Sequence, residues 1–461
     1  MTADRPTDAS ASIDRRSSEL SSLVQQGDGP AVATYLEVDE TGSTLIAVSR
    51  LDRETRAKLL SMVETERAAR LLEHLPDPIV VEAVQDMDPA PAARVIEHMP
   101  SNEQADLLGS LRDEAAEAIL AHLDPFDAAG VQRLATYSGD VAGGLMITEY
   151  LAYQASETVA DIIDDLTEHA ERYADYDIQY AYVADAVGVL VGVLRLRDLL
   201  LSPRSRPVRD LMIPDPLAVR DEAPLDELVR FFEEHRFFGA PVVDAGGRLC
   251  GVVQRSAVEA AVAEDSERMY REAQGIIGGE ELRSMPLLLR ARRRLSWLSV
   301  NIVLNIIAAS VIALHQDTLE AVIALAVFLP IISDMSGCSG NQAVGVSMRE
   351  LTLGLVRPTE LWRTLMKEVS VGLINGFVLG VLIGGVALVW QGNIYLGLVV
   401  GSALMLNTIV AVAIGGSVPL VLKRFKTDPA IASGPILTTI TDMCGFFIVL
   451  NFASLMLSRL T

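Results

Sequence analysis

Cysteine is scarce in this 461-residue chain: Cys250, Cys338 and Cys444 are its only three, without pairing or CxxC spacing. Neither a disulfide scaffold nor a zinc site is indicated, and the three read as packing residues. Histidine is nearly as rare. All six (His74, His98, His122, His169, His235 and His315) lie outside the long apolar runs, which argues against an intramembrane metalloprotease built on His-Glu-x-x-His. The first eighteen residues, MTADRPTDASASIDRRSS, lack an apolar h-region. No signal peptide is expected there, the N-terminus should stay in the cytoplasm, and residues 1–18 should be disordered.

Positive charge is in short supply over the first part of the molecule. The formal net charge is −23, yet 50% of the residues are hydrophobic and the mean hydropathy is +0.32. Residues 1–284 hold 53 acids and 26 bases, whereas residues 285–461 hold 8 acids and 12 bases. The acidic part would repel nucleic acid, and it suits either cation binding or a saline solvent.

A repeat occupies the first part. RAARLLEHLP (67–76), PAARVIEHMP (91–100) and EAAEAILAHL (114–123) set His74, His98 and His122 at a spacing of 24, and Arg50-Leu51 continues the register upstream. Amphipathic stretches alternating with Pro- or Asp-containing breaks predict a solenoid of helical hairpins over 19–138. The histidines read as equivalent surface or packing positions rather than metal ligands.

From about 141 short apolar strands alternate with helices. AYVADAVGVLVGVLRLRDLL (181–200) and APVVDAGGRLCGVVQRSAV (240–258) are two copies of one strand–turn–strand–helix unit. They resemble a pair of cystathionine-β-synthase-type (CBS) domains, over 139–203 and 204–262. Such pairs often bind adenine nucleotides through Gly-x-x-Thr/Ser-x-x-Asp. The first copy keeps Asp198 but has Arg195 at the hydroxyl position, and the second has Gln254 and Ala257, so nucleotide binding is not expected. Residues 255–284, rich in Ala, Glu and Arg, predict a connecting helix.

Five apolar runs follow in 285–461, at about 295–314, 318–347, 369–390, 394–421 and 431–458, which predicts a five-helix membrane bundle. Arg290 and Arg292 to Arg294 precede the first. Arg349, Arg357, Arg363 and Lys367 separate the second and third, and Lys423, Arg424 and Lys426 the fourth and fifth. HQD (315–317) and QGN (391–393) have no Lys or Arg. The basic loops and N-terminal domains are therefore expected inside and the C-terminus outside. Asp442 lies eleven residues beyond Ile431, about 16 Å along a helix and near the middle of a ~30 Å hydrocarbon layer. An acid at that depth is either a hydrogen-bonded structural group or part of an ion path. The second run carries Pro330, Asp334, Gly337, Gly340, Asn341 and Gln342, which predicts an interrupted helix that only protein or a water-filled cavity could cover.

The second run, LPIISDMSGCSGNQ, the stretch KRFKTDPAIASGPILTTITDMCGFF before and within the fifth, and RRRLSWL before the first resemble the MgtE family of magnesium transporters and channels. The order of helical domain, CBS pair, connecting helix and five spans is similar too. The resemblance implies a homodimer in the cell membrane that passes Mg²⁺, is not an enzyme, and has Asp442 as its central pore ligand. It also implies closure by the cytoplasmic domains when internal Mg²⁺ is high. Asp334, Gly337, Gly340, Asn341, Gln342, Pro435, Thr438 and Thr439 are the candidate path residues. Asp86, Asp88, Glu264, Asp265 and Glu267 are candidates for regulatory Mg²⁺. Cys338 stands where the family often has Asn, Asp334 where glycine is common, and Ala257 and Ala260 where acids are expected. A membrane sensor that transports nothing is the alternative.

Overall fold

In this computed structural model the described residues are 6–37, 42–170, 173, 176, 179–276, 279, 281–283, 285–352, 355–425 and 429–461. They form two units, residues 1–264 and 265–461. In the first, α1 (Pro6–Gln26), α2 (Gly29–Glu37) and α3 (Gly42–Ser49) precede the repeat. Residues 6–18, expected to be disordered, thus lie in a helix. The repeat is α4 (Arg53–Met62), α5 (Thr65–Glu73), α6 (Asp77–Gln85), α7 (Pro89–Ile96), α8 (Ser101–Ser110), α9 (Asp113–Leu120) and α10 (Pro125–Leu134). Alternate helices start 24 residues apart, so one period is one helical hairpin. Each hairpin buries small and branched residues, such as Ala68, Ala69 and Leu72 of α5 and Ala92, Ala93 and Ile96 of α7. His74 and His122 are exposed and each donates Nδ1–H to the carbonyl four residues earlier, both at 2.9 Å. His98 is also exposed, with Nε2 3.2 Å from Thr65 Oγ1. Equivalent helix-end positions explain their spacing.

The α/β part contains α11 (Ala142–Leu145), β1 (Met146–Ile147), β2 (Leu151–Gln154), α12 (Val159–Glu168), β3 (Tyr180–Ala184), β4 (Leu190–Arg195) and α13 (Leu196–Leu200). It continues with β5 (Ile213–Pro214), β6 (Val219–Arg220), α14 (Leu225–Glu234), β7 (Gly239–Val243) and β8 (Leu249–Gln254). The two sheets have orders β1-β8-β7-β6 and β2-β3-β4-β5. A division at 203/204 does not separate them, because β1 pairs antiparallel with β8 and β5 with β4. Each copy lends a strand to the other's sheet. The hairpin turns match: Asp185 Oδ1 accepts the N–H groups of Val187 and Val189, and Asp244 Oδ1 those of Gly246 and Arg248. Gly188 and Gly247 take the positive φ that each turn requires.

The connecting helix, α15 (Arg255–Ala273), is shorter than the expected 255–284. Gly275 adopts φ +77°, its N–H bonds Glu272 O and that of Ile276 bonds Arg271 O, a Schellman stop. Downstream, Glu281 is almost fully covered and accepts from Arg294 Nε at 2.9 Å, with Arg290 Nε at 3.4 Å. These bonds hold its carboxyl below the usual glutamate range.

The second unit continues with α16 (Leu287–Leu314), α17 (Gln316–Ala321), α18 (Leu325–Thr352), α19 (Leu361–Gln391), α20 (Ile394–Arg424), α21 (Pro429–Leu455) and α22 (Leu457–Leu460). Among the described residues, four helices are long and apolar enough to cross a membrane: α16, α19, α20 and residues 434–455 of α21. The second expected span, α18, is as long as α16 but lacks that hydropathy, because Asp334, two amides and many Gly and Ser residues replace apolar ones. Nor is it interrupted. Pro330 is its sixth residue and removes a single backbone bond near one end, and the helix runs on to Thr352.

Helix α20 is the hub, and α19 meets it backbone to backbone. A Cβ on Gly376, Gly380 or Gly384 would lie 2.7, 2.5 or 2.8 Å from the carbonyl oxygens of Met405, Gly401 and Gly397. Glycine every fourth residue gives such close helix contact without a side chain between the axes. Gly380→Val should therefore lower the detergent melting temperature and the yield of folded protein, by overpacking on the order of 1–3 kcal/mol. Gly385→Val, on a side with nothing within 4 Å of the added carbon, should leave both within error. Equal tolerance of the two would remove this account of the seam.

Candidate functional site

The only acid on α21 is Asp442, 8% exposed within the apolar bundle. Its partner comes from α18: Ser333 Oγ–H donates to Asp442 Oδ1. One turn earlier on α21, Thr438 is exposed and donates to Gly434 O at 3.0 Å, while Thr439 donates to Pro435 O at 2.7 Å. These hydroxyls satisfy themselves on their own helix near Pro435, which lies inside it.

Helix α18 has two faces. Phe328, Leu329, Ile332, Ser336, Ser339, Gly340, Ala343 and Ser347 are buried against the other helices. Asp334, Cys338, Asn341 and Gln342 are exposed, and Gly337 is half-buried. At spacings of three and four, Asp334, Cys338 and Asn341 form one polar stripe. Gly340, expected to line the path, belongs to the other face: a Cβ there would lie 2.8 Å from Leu437 Cδ1 and 3.0 Å from Ala411 O. It is a packing notch where α18 meets α20 and α21. Among the described residues no group of three His, Cys, Asp or Glu side chains could hold a metal ion. A cation at Asp442 therefore needs water, amide or carbonyl oxygens as well, or a second carboxylate from elsewhere.

The regulatory candidates are mostly spoken for. Asp86 is held in a fork by Arg53, at 2.8 and 2.9 Å. Asp265 pairs with Arg268, and Glu267 lies 3.7 Å from Arg271. Asp88 precedes α7 without a capping bond. Glu264 belongs to a group that the spacing of acids in the chain does not disclose. Asp106 is pushed up to about 6 by desolvation and then by Glu264 and Asp77. Glu103 is pushed up to about 7 by burial and then by Glu73, Asp106 and Asp77. The repeat brings these acids together from α5, α6 and α8.

A cavity of about 270 Å³ lies in the α/β part, lined by Glu149, Tyr150, Tyr180, Tyr182, Gln254 and Glu259 among others. Asp198 is not among its lining residues and sits 3.6 Å from Arg197 instead. Arg255, also at the cavity, spends its guanidinium on the carbonyls of Phe232, His235 and Phe237.

Sequence reasoning missed Ser333, which stands beside the more conspicuous Asp334, and Asn407, the one amide side chain of the long hydrophobic helix α20. Only Asn407 carried a signal of its own, as a polar side chain at membrane depth.

Three family models match the chain in order: the MgtE intracellular N domain over 44–140, the CBS domain over 208–264 and the MgtE divalent cation transporter over 329–452. The magnesium transporter MgtE of Thermus thermophilus is 33% identical over 446 residues, covering 95% of this chain and 98% of the relative. That of Bacillus subtilis is 32% identical over 335 residues, 73% of this chain and 74% of the relative. A crystal structure of the cytosolic domain of the Mg²⁺ channel MgtE in complex with ATP is 32% identical, with a TM-score of 0.48, over 53% of this chain and 99% of that one. With a relative matched along nearly its whole length and three domain models in the same order, the chain belongs to the MgtE family of divalent cation transporters.

Proposed function

We propose that this protein passes Mg²⁺ across the cell membrane along the polar face of α18 and the Asp442 side of α21. The observation that carries the reading is a nearly buried carboxylate in an apolar bundle, held by a hydroxyl from α18, a long helix too polar to face lipid on its own. The names of the two bacterial relatives support Mg²⁺ among the divalent cations. So does the chemistry. Mg²⁺ prefers six oxygens and gives up water reluctantly, so a carboxylate with waters, the Asn341 and Gln342 amides and carbonyls suits it better than imidazole or thiolate.

In this reading α18 is the fifth span, the basic segments before α16 and after α20 face the cytoplasm, and the C-terminus lies outside. One carboxylate leaves a divalent ion half neutralised. A twofold homodimer with Asp442 of each copy at the axis would supply the second. The acids around Glu103, Asp106 and Glu264 are the regulatory site: burial and then the neighbouring acids raise the proton affinity of Glu103 and Asp106, and a cation bound there would offset the repulsion and bias the closed state. Adenine nucleotide is left out of the mechanism because Arg195 and Gln254 occupy its hydroxyl positions. A sensor that transports nothing would give Asp442 no task.

Asp442→Ala should abolish Mg²⁺ flux into proteoliposomes, with expression and detergent behaviour unchanged, and Asp334→Ala should reduce it less. Wild-type flux in Asp442→Ala removes the pore assignment. Native mass measurement in mild detergent should give a dimer, and a monomer alone would contradict the twofold site. For Glu103 and Asp106 the sign follows from their raised folded pKa values. The folded state binds more protons than the unfolded chain, so stability falls as pH rises from about 4.5 through about 7. Glu103→Gln with Asp106→Asn should raise the melting temperature at pH 8, leave it nearly unchanged at pH 4, and weaken the slowing of flux by internal Mg²⁺. Unaltered Mg²⁺ inhibition in that variant would exclude these acids from regulation.

A further inference from the structure

Asn407 is an expensive residue to keep in α20. It is 0% exposed, and its Oδ1 is buried without a hydrogen-bond partner, so the desolvation of that oxygen is left uncompensated. An apolar side chain of similar volume would avoid that cost. Its Nδ2, however, donates to the backbone carbonyl of Thr441 at 3.1 Å, one residue before Asp442. The approach depends on Gly445, where an added Cβ would lie 2.6 Å from that Nδ2 and 3.4 Å from Ile332 Cγ2 of α18. Ile332 is in turn the neighbour of Ser333, which holds the carboxylate itself. The turn of α21 that carries the acid is therefore gripped twice, at the carboxylate from α18 and at the backbone from α20.

We infer that Asn407 is a positioning residue for ion binding: its amide, seated in the Gly445 notch, sets the rotation of α21 that turns Asp442 toward the ion. This rests on the reading of Asp442 as the ion ligand. The hydrogen bond at Ser333 holds the carboxylate but not the backbone that carries it, and a second bond at a different azimuth, on the Thr441 carbonyl, fixes that turn of α21 as well. Fixing a ligand before the ion arrives lowers the cost of binding.

The test is Mg²⁺ flux into proteoliposomes against Mg²⁺ concentration, with full-length protein of verified detergent size profile. Asn407→Leu should raise the concentration for half-maximal flux about tenfold while the maximal flux falls less than threefold. Gly445→Ala should give the same split, because the methyl group displaces the amide. The double variant Asn407→Ala/Gly445→Ala should be no worse than the more affected single variant, since the methyl then occupies space the amide has left. A purely structural role predicts loss of maximal flux at unchanged half-saturation, and additive losses in the double variant. Either result overturns the inference. Should Asn407→Leu fail to fold, the Gly445→Ala result decides by the same criterion. If wild type transports no Mg²⁺, or Asp442→Ala transports normally, the ion-ligand reading itself is wrong. Normal half-saturation in both Asn407→Leu and Gly445→Ala, with Asp442→Ala inactive, removes the role of Asn407 alone.

Discussion

A carboxylate placed inside an apolar helix bundle must be compensated, and the rest of the membrane unit follows from that requirement at Asp442. Hydrogen bonds offset part of the desolvation cost, but only over about 3 Å, so the donor must come from a helix packed closely against α21. That helix is α18, through Ser333. A helix with Asp334, Asn341 and Gln342 along one side is a poor neighbour for lipid, which is why α18 presents its small and apolar side to α20 and α21 and keeps its polar stripe on another.

Close packing has its own demand, met by glycine and serine. Gly340 of α18 faces Leu437 and the Ala411 carbonyl, and Gly415 of α20 faces the Gly340 carbonyl in return. Ser347 then donates to Gly416 O at 2.9 Å, in the stretch of α20 where Pro419 interrupts the backbone ladder. On its other side α20 is seamed to α19 by glycines at every fourth residue. The central helix is thus fixed by backbone contact, and it is rigid enough to carry Asn407 to the turn that holds the acid.

In the first unit the surplus of negative charge is not spread evenly. Arginines consume much of it locally, as Arg53 does with Asp86 and Arg204 with Asp164. One group of acids stays close together instead: Glu73, Asp77, Glu103 and Asp106 of the repeat, with Glu264 from the middle of the connecting helix. The four from the repeat are not equivalent positions of its 24-residue period; the packing of α5, α6 and α8 from successive hairpins brings them together.

Period and composition were enough to read much of this molecule from its residues. The 24-residue spacing meant one hairpin per repeat, the paired strand–turn–strand units meant two α/β copies, and the long apolar runs located α16, α19, α20 and α21 to within a few residues at most ends. Asp442 stood out because a lone acid is anomalous in an apolar run whatever surrounds it. Other features were invisible because they depend on what lies across space. The strand exchange between the two sheets and the packing role of Gly340 are both set by neighbours distant in sequence. The same holds for Ser333 and Asn407. A serine beside an aspartate and an asparagine among aliphatics carry no partner in their local pattern, and only the packing of three helices decides that both bonds fall on one turn of α21, within reach of one carboxylate.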